Sequence, residues 1–172
     1  ESGSNARMST DAGVNWTDMQ VSTAPDSAIG SMESIAIDRS APQTIYVGAQ
    51  AGLYRSTNGG VSWTRVAAGL AAPGSQDAIK VAIDPQNGDV YLGADTNDEH
   101  SLYRSQDGGK SWSVFSPCAS RVSSLEVGAT GAHLIYAGLS NFCAKGVWVK
   151  DLDEEPAIFV TEPIGGEFWL GG

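Results

Sequence analysis

One octet recurs three times along this chain: Ser9-Thr10-Asp11-Ala12-Gly13-Val14-Asn15-Trp16, Ser56-Thr57-Asn58-Gly59-Gly60-Val61-Ser62-Trp63 and Ser105-Gln106-Asp107-Gly108-Gly109-Lys110-Ser111-Trp112. The copies start 47 and 49 residues apart and share Ser-x-Asp-x-Gly-x-x-Trp, with Asn58 replacing Asp in the middle copy. A fixed period of about 40 to 50 residues restricts the fold to stacked supersecondary units, none of which buries its apolar surface alone.

The repeat extends beyond the octet. Ser34 to Asp38 matches Lys80 to Asp84, Thr44 to Ala49 matches Asp89 to Ala94, and Gly52 to Ser56 matches Ser101 to Ser105. Each segment is short, rich in β-branched and aromatic residues and bounded by Gly, Pro, Asn or Asp, which predicts strands separated by turns. No stretch carries helical periodicity. With strands named A, B and C, and D running from each tryptophan (Trp63 to Val66), one period is a four-stranded antiparallel meander.

A third unit follows with Val122–Val127, Leu134–Gly138, Gly146–Lys150 and Ala157–Val160 as its strands. Its C-to-D turn, Asp151 to Pro156, has lost the octet. Asn5 to Met19 supplies only a C–D hairpin, and Glu167 to Gly172 reads as a B strand. The predicted fold is therefore all-β, a β-propeller of four-stranded antiparallel blades, with three whole blades and partial blades at both ends. It forms a single propeller domain or fragment over 1–172, with blade parts at 5–19, 34–66, 79–115, 122–160 and 167–172.

Composition agrees. The 172 residues allow one domain with a sizeable core, and 41% hydrophobic residues with 21 glycines indicate a turn-rich folded chain. A net charge of −10 disfavours nucleic acid and anionic lipid as partners. No apolar run reaches the length of a membrane span. The chain opens on Glu1 without a leader, so the sequence is expected to follow a removed targeting segment or to start inside a larger precursor.

The octets resemble the Asp-box, or bacterial neuraminidase repeat, of sialidases, sortilin-type receptors, oligoxyloglucan-releasing glycoside hydrolases and a photosystem assembly factor. The resemblance runs from Asn5 to about Val160 and implies the propeller architecture. It says little of function, because those families share a fold and not a chemistry. Ser9, Asp11, Gly13 and Trp16, then Ser56, Asn58, Gly60 and Trp63, then Ser105, Asp107, Gly109 and Trp112 are read as structural. Ser and Asp bond the turn's own amides, the glycine takes a positive φ and the tryptophan covers the hairpin base. In the resembling families this motif lies away from the active site.

Propeller topology places the D-to-A and B-to-C connections on the usual binding face, opposite the octets. The candidate ligand-binding residues are Asp95, Asp98, Glu99 and His100 in one B-to-C loop, and Asn141 and Phe142 in the next. Asp95 to Gln106 fails as a calcium loop, lacking glycine at position six and glutamate at position twelve. Cys118 and Cys143 fall on this same face, and a disulfide between them is preferred to two reduced thiols. It implies export to an extracellular or periplasmic compartment.

Glycoside hydrolysis needs two suitably spaced carboxyls. Asp95, Asp98 and Glu99 offer one, and Asp77 or Glu126 the other, but no spacing singles out a pair. A sialidase would also need an arginine triad, and only Arg121 approaches the binding face. His100 and His133 have no metal-ligand spacing, and His133 is expected on the surface of an A-to-B turn. No metal, cofactor or catalytic residue is assigned. The leading reading is an exported scaffold that binds a protein or glycan and is not an enzyme. The alternatives are an extracellular glycoside hydrolase, sialidase- or xyloglucanase-like, or part of one, and an assembly factor or subunit of a larger complex. Closure of the ring by a composite blade, by a second chain, or by further blades of a longer propeller is left open, with the last preferred.

Overall fold

The computed structural model describes residues 6–19, 21, 31–66, 80–94, 102–115, 121–128, 133–140, 146–154 and 160–162. No α-helix occurs among them. A short hairpin pairs β1 (Arg7–Met8) with β2 (Thr17–Asp18). Three four-stranded antiparallel sheets follow, each a meander in chain order. The first joins β3 (Met32–Ile37), β4 (Ile45–Ala49), β5 (Gly52–Ser56) and β6 (Thr64–Arg65). The second joins β7 (Lys80–Ile83), β8 (Val90–Gly93), β9 (Leu102–Ser105) and β10 (Ser113–Val114). The third joins β11 (Arg121–Val127), β12 (Leu134–Ser140), β13 (Gly146–Asp151) and β14 (Val160–Glu162). This is the β-propeller arrangement expected from the repeats.

The sheets lie face to face. Met19 and Val21, which follow the hairpin, pack on Ile45, Val47, Tyr54 and Trp63 of the first sheet. The opposite face of that sheet, with Tyr46 and Leu53, packs on Val81, Val90 and Leu92. Tyr91 and Ala82 on the far side of the second sheet meet Val127 and Ile135 of the third. Strands β4 and β8 are buried along their whole length, because each is covered on both faces. Full burial of side chains such as Tyr54 or Leu92 stabilises by roughly 1.5–3 kcal/mol each, a gain that a lone sheet exposed on both faces would lack.

Two features tighten the stack. Bulges interrupt the pairing between Met32 and Ser34 and between Val122 and Ser124, at matching places on β3 and β11. The second sets Val122 against Gly93, where an added Cβ would lie 2.5 Å from Val122 Cγ1. Only glycine permits that approach. The strands nearest the common centre, β3, β7 and β11, contact one another in sequence.

The A strand of the first unit starts at Met32, two residues before its predicted start. The last strand described runs from Val160 to Glu162, beyond the predicted end at Val160.

Candidate functional site

The octets fold as C-to-D turns with one recurring bond set. Ser9, Ser56 and Ser105 hydroxyls each accept a bond at 2.8 Å from the amide of Gly13, Gly60 and Gly109. The same hydroxyls donate to Asp11, Asn58 and Asp107 at 2.8–2.9 Å. Those side-chain oxygens in turn accept the amides of Asn15, Ser62 and Ser111 at 2.8–2.9 Å. Asn58 replaces Asp without loss because the turn uses its oxygen as an acceptor, and its Nδ2 donates to Ser62 Oγ at 2.8 Å.

Gly13, Gly60 and Gly109 have φ of 89°, 88° and 91°, as the motif requires, and the residue before each is also left-handed. These bonds stabilise the carboxylate form. Bonds from Asn15 hold Asp11 below the ordinary carboxylate range, and bonds from the hydroxyl and amide of Ser111 do the same for Asp107.

The tryptophans do more than cover their own hairpin. Trp63 Nε1 donates to Gly60 O at 3.0 Å and to Met19 O, on the preceding unit, at 2.8 Å. Met19 also lies under Gly60, and Val66 lies under Gly109 and packs with Trp112. Met19, Val66 and Phe115 each stand three residues after an octet tryptophan. Each octet-bearing unit thus ends in an apolar pad. The first two pads receive the turn of the next unit.

A second bracket reinforces the contact between the first two sheets. Tyr46 Oη donates to Gly108 O at 3.2 Å, and the Arg55 guanidinium lies under Gly108 and 5.7 Å from the Tyr46 ring centroid. Arg104 repeats the stacking over Tyr91 at 6.0 Å and bonds Asp89 through Nε at 2.7 Å. Burial raises the Tyr91 phenol to about 12.

The third interface lacks an octet and is built differently. Lys150 Nζ sits 4.3 Å from the centroid of the Phe115 ring, and Leu152 packs in the same cluster. His133 is buried, against the surface position expected of it. Its Nε2 meets Asp84 Oδ2 at 2.7 Å and its Nδ1 meets Asp153 Oδ1 at 2.8 Å. Asp84 belongs to the A-to-B turn of the second unit, so an imidazole 49 residues away clasps two units together. Bonding to Asp153, and then to Asp84, raises the His133 pKa against the opposing effect of burial. Asp153, in the C-to-D turn that has lost the octet, thus provides half of the clasp. The Asp at the end of strand A, shared by Asp38 and Asp84, was a legible signal; its histidine partner was not.

Bonds from Gly59 N to Gln43 O and from Leu152 N to His133 O put the A-to-B and C-to-D turns on one rim. The inner strands line a groove of about 320 Å³ whose walls include Ile35, Ile37, Arg39, Pro85 and Glu126. Ile35 and Ile37 are each 53% exposed to it, so an apolar floor lies beside one cation and one carboxylate. Glu126 alone of the candidate carboxyls is described, and it lines this groove.

The predicted ligand residues Asp95, Asp98, Glu99, His100, Asn141 and Phe142, the pair Cys118 and Cys143, and the 167–172 strand lie outside the described residues. Among the described residues no three His, Cys, Asp or Glu side chains gather as a metal site, and no helix is long and apolar enough to cross a membrane.

No protein-family model matches the chain. It is similar to the photosystem II assembly lipoprotein Ycf48 of Synechococcus sp. (strain CC9902), 28% identical over 139 residues. That match covers 80% of this chain and 39% of the relative. Among solved structures, a Niastella koreensis GH74 enzyme matches with TM-score 0.74 and 21% identity over 96% of this chain and 27% of that one. An ancestral GH74 enzyme gives 0.65 and 19% over 95% of this chain and 21% of that one. The GH74 xyloglucanase of Xanthomonas campestris gives 0.54 and 23% over 78% of this chain and 23% of that one. The chain thus spans well under half of the curated relative and about a quarter of the solved chains, and what it has in common with the latter is the β-propeller fold.

Proposed function

We propose that the chain is an Asp-box propeller module of an exported protein, and that it binds a protein partner as a scaffold. The observation that carries this is the saturation of the octets: their Ser, Asp and Asn side chains are consumed by their own turns, which leaves them no chemistry to perform. Sequence similarity to an assembly lipoprotein over most of the chain supports a protein partner. Binding is assigned to the B-to-C loops holding Asp95, Asp98, Glu99, His100, Asn141 and Phe142. A Cys118–Cys143 disulfide would fit an extracellular or periplasmic address, and mass analysis after alkylation without reductant reads it directly.

A second reading is favoured by the groove, where Ile35 and Ile37 lie beside Arg39 and Glu126, and by the fold shared with GH74 enzymes. On that reading the chain is part of a glycan-binding protein or glycoside hydrolase. One experiment separates the two. The chain and its Asp95→Asn, Asp98→Asn, Glu99→Gln triple variant are immobilised, used for capture from the native source, and assayed for reducing-sugar release from xyloglucan. Partner capture that the triple variant loses, without sugar release, supports the scaffold. Sugar release by the wild type that the variant lacks overturns it.

A further inference from the structure

Strand A is the inner edge of each sheet, since β3, β7 and β11 each pair on one side alone. The ladders fix which backbone groups those edges present. Asp38 N bonds Thr44 O, Asp84 N bonds Asp89 O, and Gly128 N bonds Leu134 O. The backbone groups of these residues, and of Ala36, Ala82 and Glu126 two positions earlier, are therefore turned to strand B. Those of the alternate residues, Ile35 and Ile37 on β3, Val81 and Ile83 on β7 and Val127 on β11, point away from it. Val81 shows this directly, because its N–H reaches Ser34 Oγ of the neighbouring unit at 3.2 Å. Among the described residues, the N–H and C=O groups of Ile35 and Ile37 have no hydrogen-bond partner.

These edges meet in the groove. Strand β7 packs against both β3 and β11, so it forms the floor and they form the walls. Arg39, just beyond the end of β3, stands on one wall and Glu126 on the other. Neither side chain has an ion-pair partner among the described residues. Ile35 and Ile37 leave the β3 edge open to solvent between them, and an open strand edge is a template for another strand.

We propose that the groove takes an extended peptide segment of a protein partner, added as a strand to the free edge of β3 at Ile35 and Ile37. This rests on the scaffold reading and adds to the B-to-C loops a second place where the partner is held. Main-chain bonds to Ile35 and Ile37 supply affinity, and alternate side chains supply selectivity. In an antiparallel segment, β-branched residues lie level with Ile37 and Ile35, and an acidic residue lies level with Arg39. The next residue points to the opposite side and is basic, to meet Glu126. The described lining has no aromatic ring for a sugar to stack on and no amide side chain to bond its hydroxyls, which favours a peptide over a glycan. The net charge of −10 repels a polyanion, so the segment carries few acidic groups.

The probe is the peptide acetyl-Lys-Glu-Thr-Val-Thr-Val-amide, titrated into the isotope-labelled chain and followed by NMR. Saturable shifts of the Ile35 and Ile37 amide resonances, with slowed proton exchange at both, are expected. The same peptide N-methylated at its two valines, which keeps the side chains and removes the paired donors, is expected not to bind. Arg39→Glu, at an exposed position, is expected to keep the fold by circular dichroism and to weaken binding by roughly tenfold.

Absence of saturable shifts at Ile35 and Ile37, or equal binding of the N-methylated peptide, overturns the inference. An Arg39→Glu chain that binds as tightly as the unaltered one contradicts the placement of the acidic residue. Partner capture from the native source that persists beside such a failure leaves the scaffold reading in place, so the two fall separately.

Discussion

The indole nitrogen of Trp63 bonds the carbonyl oxygen of Met19 at 2.8 Å, across 44 residues and from one unit of the stack to the one before it. Trp16 bonds the glycine carbonyl of its own turn but meets no such pad among the described residues. The tryptophan of this repeat is therefore a wedge between neighbours, and its energetic weight depends on whether a neighbour is there.

Replacing Trp63 by Ala is expected to cost about 3–5 kcal/mol, as for other buried aromatics, because it opens a cavity and strands the Met19 carbonyl. Trp16→Ala in the same chain is expected to stay within about 0.5 kcal/mol. Urea unfolding of the two variants, followed by circular dichroism, checks the contrast.

Ala12 adopts φ of 58°, where the other two octets place Gly59 and Gly108. A left-handed alanine costs roughly 1 kcal/mol or more relative to glycine. Ala12→Gly is thus expected to raise stability by about 1 kcal/mol, less the added freedom of the unfolded chain. A lowered melting temperature would contradict it.

Much of this was legible in the sequence. The octets, their positive φ at the glycine and the meander of four strands follow from local patterns that each unit repeats. Trp16 and Trp63 mark where legibility stops: the local sequence is nearly the same, and only the presence of Met19 in the preceding unit separates an exposed indole from a buried one. His133 is a similar case. A lone polar residue before a strand reads as a surface residue, and its burial depends on Asp84, in another unit. The A strand of the first unit starts earlier than predicted because the bulge between Met32 and Ser34 adds a residue that alternation alone does not register.

The pH response of the His133 clasp follows from its sign. Its pKa is raised in the folded chain, so the stabilisation is complete below the unfolded value of about 6.5 and is lost as pH rises through the higher folded value. His133→Gln is expected to remove this alkaline loss, while His133→Ala destabilises by about 3 kcal/mol at pH 6 by leaving Asp84 buried without its partner. Melting curves across neutral pH distinguish the variants; an unchanged slope in His133→Gln would refute the clasp.

Asp107 behaves oppositely. Bonds from Ser111 depress its pKa, so its contribution is present above the ordinary carboxylate value and disappears as pH falls below about 4. Asp107→Asn, which copies the side chain found at Asn58, keeps the acceptor and removes the titration. The acid limb of its stability profile should flatten, with the neutral-pH fold intact by circular dichroism.

Indole proton exchange gives the sharpest view of the stack. In one two-dimensional NMR series in deuterated buffer, the Trp63 indole proton should persist far longer than that of Trp16 and show an Overhauser contact to Met19. Equal, rapid exchange at both indoles with no contact to Met19 would mean that the units do not brace one another through their tryptophans.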